Sequence, residues 1–307
     1  MKSYSSIKSY WPAHKLFLSF LVLFLFCFSV SLGAKKLPIK PRYFTLGVCQ
    51  KAENSQLAKN LGFDYIECSV GDLLAPTQSE NVFRSKLDLI RESGFEVYSC
   101  NSFIPGSLRC VGADAVPDKI IEFATIALER AKEAGIKIIV FGSGASRKIP
   151  EGFDKQTARK QFVDLLKRLG PIAMINGVTI AIEPLNSKET NFINTVIEGC
   201  EIAKEVNHKN IKVLADFYHM NVEGESAESI VTAGKLLVHC HIAETAKRAA
   251  PGVSKECFLP FFKALRKIKY QGRISIECGW TDFEKQAPEA IQILHSQQDS
   301  LNNTTVL

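Results

Sequence analysis

From Phe44 onward the chain alternates short apolar runs with stretches whose apolar residues recur every three or four positions. The short runs predict strands at 44–49 (FTLGVC), 64–68 (DYIEC), 95–100 (FEVYSC), 137–142 (KIIVFG), 178–183 (VTIAIE), 211–216 (IKVLAD), 237–242 (LVHCHI) and 273–278 (RISIEC). Between them lie helical patterns such as Ile121, Ala124, Leu128 and Ala131, or Phe258, Phe261, Phe262 and Leu265. Gly62, Gly94, Gly135 and Gly177 follow such runs, where a left-handed cap is common. Eight βα units in about 250 residues predict an α/β fold, a single-domain (β/α)₈ barrel, because its parallel strands are buried on both faces and read as short apolar runs. A doubly wound sheet would place a glycine-rich turn after its first strand, and the chain there reads Gln50-Lys51-Ala52-Glu53. The barrel domain is expected over 35–300, followed by a polar tail at 301–307.

Residues 16–34 form an unbroken apolar run behind a Lys-bearing start and ahead of Lys35 and Lys36. That layout is expected of a signal peptide or signal anchor, with export or membrane anchoring as its consequence, so 1–34 is set apart from the fold. Eight of the nine cysteines lie beyond this run, and Cys49, Cys68, Cys100, Cys240 and Cys278 sit inside strand-like segments. They read as reduced core thiols, which points instead to the cytoplasm. Both readings of compartment stay open. An apolar content of 46% with 19 Gly and 12 Pro suffices for a sizeable core and excludes disordered and collagen-like classes. Lys2, Lys8 and Lys15 supply half of the net charge of +6, so the remainder of the chain is too weakly basic to argue for nucleic acid.

Active sites on this fold gather at the C-terminal ends of the strands. Strand five ends in Glu183, strand six in Asp216 with His219 close behind, strand seven carries His239 and His241, and strand eight ends in Glu277. One such carboxylate alone is most often a helix cap. Four polar endings on successive strands are harder to explain that way, because clustered acids repel one another unless a cation joins them. Glu183, Asp216, His241 and Glu277 offer three hard oxygens and one imidazole nitrogen, a set suited to Mn²⁺, with Mg²⁺, Co²⁺ or Zn²⁺ as alternatives. His241 is preferred over His239 because it lies nearer the strand end. Glu67 ends strand two, Asn101 begins the loop after strand three, and Arg147 follows the Gly142-Ser143-Gly144 turn after strand four. All three are candidates to contact substrate, Arg147 as an anion donor.

The segments EPLNSKETNFINT (183–195), DFYHM, HIAE...R..PG and IE resemble the D-tagatose 3-epimerase and sugar phosphate isomerase/epimerase group of the xylose-isomerase-like TIM barrels. The resemblance spans roughly 44–297. It implies that Glu183 and Glu277 bind the metal and exchange the substrate proton, and that Asp216 and His241 complete the coordination. It further implies that Glu189 and His219 contact substrate oxygens and that an arginine after the strand-seven histidine grips the distal end. Arg248 is the candidate, one residue later than the family spacing, at which Lys247 stands. The expected activity is proton transfer next to the carbonyl of a ketose or keto-sugar phosphate through an enediolate, giving isomerisation or epimerisation. A metal-dependent dehydratase of a keto-cyclitol or keto acid has the same ligand set and is the alternative. An apurinic endonuclease is disfavoured because no histidine stands between His14 and His208, and a non-catalytic sugar-binding module because every ligand position is filled. By the same resemblance, homo-oligomerisation is left open.

Overall fold

A computed structural model describes residues 44–303. The segment read as a signal or anchor, 1–34, and the end of the tail, 304–307, lie outside the described residues. Among the described residues no helix is long and apolar enough to cross a membrane. All eight described cysteines are free.

Eight parallel strands close on themselves in sequence order, each paired with its two neighbours and the last with the first. They are β1 (Thr45–Cys49), β2 (Tyr65–Ser69), β3 (Val97–Asn101), β4 (Ile138–Phe141), β5 (Thr179–Ile182), β6 (Ile211–Asp216), β7 (Leu237–Ile242) and β8 (Arg273–Ile276). Closure removes the sheet edge that an open parallel array would have to cover. The helices are α1 (Ser55–Leu61), α2 (Glu80–Ser93), α3 (Pro117–Ala134), α4 (Gly144–Arg147), α5 (Lys155–Ile175), α6 (Val196–Val206), α7 (Phe217–Val222), α8 (Glu228–Ala233), α9 (Leu259–Lys267) and α10 (Phe283–Asn303). Thus α10 runs three residues past the boundary expected at 300. Gly62, Gly94 and Gly135 cap their helices in the left-handed conformation, whereas α5 ends on Asn176 and Gly177 turns one residue later.

Alternate residues of each strand face opposite sides of the sheet. Ile66, Cys68, Ile274 and Ile276 therefore join the large core beneath the helices, while Ile138, Val140, Ala181 and Leu214 form a smaller cluster of their own. The opposite set of positions on β2, β3, β7 and β8 is polar. Tyr65 lies across its register partner Gly47, where an added Cβ would fall 2.3 Å from the ring. Arg273 packs over the rings of Tyr65 and Tyr98 at 5.0 and 4.0 Å and pairs with Glu96 through two hydrogen bonds.

Candidate metal and proton-transfer site

The alternation that buries β5 to β8 also aims a residue at or next to the end of each strand into one mouth. Glu183 follows Ile182, Asp216 ends β6, His241 precedes the last residue of β7 and Glu277 follows Ile276. One donor atom from each of these four lies within 4.8 Å of every other. His241 is the hub, with Nδ1 2.9 Å from Glu183 Oε1 and 3.0 Å from Glu277 Oε2. Asp216 divides its two oxygens. Oδ1 accepts the backbone N–H of Tyr218 and caps α7, while Oδ2 faces the mouth, 3.1 Å from Arg248 Nη2. One oxygen of this strand-end acid thus serves as a helix cap, and the other is left facing the mouth.

Two further features fix the acids in place. Gly142, at the end of the β4 run, leaves room for Glu183, and a Cβ there would lie 2.1 Å from Glu183 Oε2. Asn101 Nδ2 donates to Glu277 Oε1 at 2.9 Å, so Oε2 is the oxygen turned toward His241 and Arg248.

The electrostatics pull the two glutamates apart. Burial pushes the Glu183 carboxyl up, against the attraction of His241. Burial also opposes ionisation of Glu277, but His241 and Arg248 outweigh it and hold that carboxyl down at about 2. Burial disfavours the charged His241 ring as well, yet Glu67, Glu277 and Glu183 together raise it well above the ordinary histidine range. A cluster of three acids needs positive charge, and the groups that supply it are the imidazole and the Arg248 guanidinium. Three carboxylates and one imidazole nitrogen, with no thiolate among them, suit a hard or borderline divalent cation, so the residues present fit the metal that the sequence implied.

The profile of the xylose isomerase-like TIM barrel family matches residues 55–297. The chain belongs to that family. An L-ribulose 3-epimerase from Methylomonas sp. (strain DH-1) is 31% identical over 228 residues, 72% of this chain and 75% of that protein. A D-psicose 3-epimerase from Ruminiclostridium cellulolyticum is 35% identical over 125 residues, 40% of this chain and 42% of that protein. The crystal structure of a D-allulose 3-epimerase from Methylomonas sp. superposes with a TM-score of 0.72 at 26% identity, covering 84% of this chain and 99% of that one.

On this family's barrel the remaining candidates divide into two groups. His219, Glu189 and Arg248 reach the mouth. The ring nitrogen Nδ1 of His219 accepts from the backbone and side-chain amides of Asn186 at 3.1 and 2.8 Å, which places its proton on Nε2. That Nε2 is buried without a hydrogen-bond partner, 3.5 Å from Asp216 Oδ2. Glu189 accepts from Asn186 Nδ2 at 3.0 Å and stays 41% exposed. Arg248 reaches Asp216 and Glu277 and covers the ring of Tyr218, because Lys247 and Arg248 both adopt positive φ and turn the chain inward. Lys247, at the family spacing, is exposed.

Glu67 and Arg147 require correction. Neither faces the mouth. Arg147 is fully buried and spends its donors on carbonyls, with Nε on Gly142, Nη1 on Phe192 and Ile193, and Nη2 on Glu183. A guanidinium so engaged has no fork left for an anion; it ties the loop after β5 to the end of β4. Glu67 is likewise buried behind the His241 ring, where Oε1 takes His241 Nε2 at 2.9 Å and Oε2 takes His239 Nε2 at 2.8 Å. Burial resists its ionisation, but the two imidazoles outweigh that and hold it well below the usual carboxylate range. His239, the rejected ligand candidate, also lies on this lower tier.

The sequence reading missed Asn186 and Glu244. Asn186 falls inside the quoted segment EPLN, and its amide orients both His219 and Glu189. Glu244, inside HIAE, is fully buried and accepts the backbone N–H groups of Gly252, Ser254 and Glu256, which folds the loop that carries Arg248. An acid just past a strand and a Pro-Gly pair a few residues on were the available signals.

Proposed function

We propose that this chain is a divalent-metal-dependent epimerase or isomerase that moves a proton on the carbon next to the carbonyl of an unphosphorylated ketose or keto-sugar. The observation that carries this reading is the approach of two carboxylates, Glu183 and Glu277, to the same His241 nitrogen from strands three apart. In this proposal Glu183, Asp216, His241 and Glu277 hold the cation, Mn²⁺ being preferred for its hard-oxygen set. When bound, the cation supplies Lewis acidity to a substrate oxygen. One of the two glutamates takes the proton from the carbon, and the other returns one to the opposite face or the neighbouring carbon. The unpartnered Nε2–H of His219 donates to a substrate oxygen, Glu189 accepts from a hydroxyl, and Arg248 binds the oxygens farther along. The preference for an unphosphorylated substrate is supported by the two arginines considered for substrate: Arg147 is buried with its three nitrogens all donating to carbonyls, and Arg248 already faces Asp216 and Glu277.

The test is a panel of ketopentoses and ketohexoses incubated with Mn²⁺-loaded protein, with the products resolved by chromatography. The expected product is an isomer of unchanged composition, lost on chelation and restored by Mn²⁺. A product lacking one water, with the absorbance of an enone, would assign the chain to the dehydratases instead.

Two further outcomes follow from the geometry. Gly142→Ala is expected to displace Glu183 and cut turnover about 100-fold while the chain stays folded, checked by kcat together with a circular-dichroism melt. Metal affinity is expected to depend on pH, because His241 carries a raised affinity for a proton that it must release to coordinate. On the acid side of that raised value affinity therefore falls, by about tenfold per pH unit for one proton released. Calorimetric Mn²⁺ titrations across pH measure the slope.

A further inference from the structure

Beneath the mouth lies a buried polar cluster that is joined to the mouth through His241. Glu67 of β2 is its centre and receives donors from three other strands. His241 Nε2 on β7 reaches Oε1 at 2.9 Å, while Oε2 collects His239 Nε2 on β7 at 2.8 Å, Ser99 Oγ on β3 at 2.6 Å and Ser275 Oγ on β8 at 2.7 Å. Ser275 Oγ in turn lies 2.8 Å from Tyr65 Oη. Glu67, Ser99, His239, His241, Ser275 and Tyr65 are all 0% exposed. A carboxylate is expensive to bury, and one enclosed this completely persists only where its donors are arranged to satisfy it.

We propose that Glu67, clasped by Ser99, Ser275 and His239, is a positioning residue that holds the His241 ring with Nε2–H directed downward and Nδ1 presented to the cation, and so sets the affinity of the metal site. The inference rests on the metal-dependent reading given above and adds to it a residue that touches neither cation nor substrate. An imidazole binds a metal through one nitrogen only when the other holds the proton, and a hydrogen-bond acceptor behind the ring decides which. Here Glu67 Oε1 is that acceptor, and the remaining donors pin Glu67 so that it cannot turn away. His239 belongs to the clasp: its Nδ1 is buried without a partner, so its hydrogen bonding runs through Nε2 toward Glu67 and the two serines.

The experiment compares Mn²⁺ binding by wild type and Glu67→Gln, measured from the electron paramagnetic resonance of free Mn²⁺, alongside kcat at saturating Mn²⁺ and the metal-free thermal midpoint. Gln keeps the shape but replaces one acceptor oxygen with a donor. The expected result is Mn²⁺ affinity weakened about 10- to 100-fold, with most of kcat regained at saturating metal. Unchanged affinity, or a lowered midpoint with affinity intact, would overturn the proposal and leave Glu67 a stabilising residue only. Should Glu67→Gln not fold, nitrogen-15 spectra of the Zn²⁺-loaded wild type decide. A slowly exchanging proton on His241 Nε2 supports the clasp, and metal on Nε2 overturns it. A wild type that binds no Mn²⁺ would remove the metal-dependent reading itself, whereas tight binding indifferent to Glu67→Gln would remove only this inference.

Discussion

Glu183→Gln and Glu277→Gln are each expected to lower turnover by about three orders of magnitude while leaving substrate affinity within a few fold. Loss of a positioned proton carrier costs about 10²- to 10⁴-fold, and each substitution also removes one anionic donor from a four-donor set. The two effects separate experimentally. At saturating Mn²⁺ the coordination defect is masked by mass action, whereas the missing proton carrier is not. The residual kcat under that condition is the measurement. Recovery of wild-type turnover by excess Mn²⁺ in either variant would reduce that glutamate to a ligand alone.

Arg147→Met is expected to destabilise the protein by about 4 kcal/mol, read as a lowered urea midpoint at unchanged slope. The guanidinium is buried among the carbonyls of Gly142, Phe192, Ile193 and Glu183, and methionine leaves them without donors in a space closed to water. A buried group stripped of its partner costs about 1–3 kcal/mol, and a broken buried charged network about 3–5 kcal/mol. Arg147→Lys restores little, because a single ammonium cannot match a planar fork that serves four acceptors. Burial lowers the Arg147 pKa to about 10, so the group remains charged near neutrality. Intact stability with a raised KM for a phosphorylated ketose would instead make Arg147 the anion contact that its sequence position suggested.

These residues show where the sequence was informative. The eight strands were legible because each is a short, largely apolar run set between helical patterns, and a closed parallel barrel needs little else of its sheet. The convergence of Glu183, Asp216, His241 and Glu277 was legible for the same reason: a strand-end residue whose parity matches the inward face points into the mouth. Glu67 obeys that parity too, so nothing local distinguishes it from a rim acid. Its partners His239 and His241 stand more than 170 positions away, and only the closed structure brings them over it. Arg147 is similar, since the carbonyls of Phe192 and Ile193 that consume its donors lie in a loop whose path the sequence does not specify. The position of Arg248 turned on backbone rather than side chain. Positive φ at Lys247 and Arg248 moves the inward-pointing residue one place along the chain, which counting from His241 does not detect.

The most direct measurement is deuterium incorporation when Mn²⁺-loaded protein turns over a ketose in heavy water. If Glu183 and Glu277 exchange the substrate proton, deuterium enters at the carbon next to the carbonyl, and incorporation disappears in Glu183→Gln and Glu277→Gln. Interconversion of sugars with the original hydrogen retained at that carbon, or deuterium uptake that survives both substitutions, would contradict a carboxylate-driven proton transfer at this site.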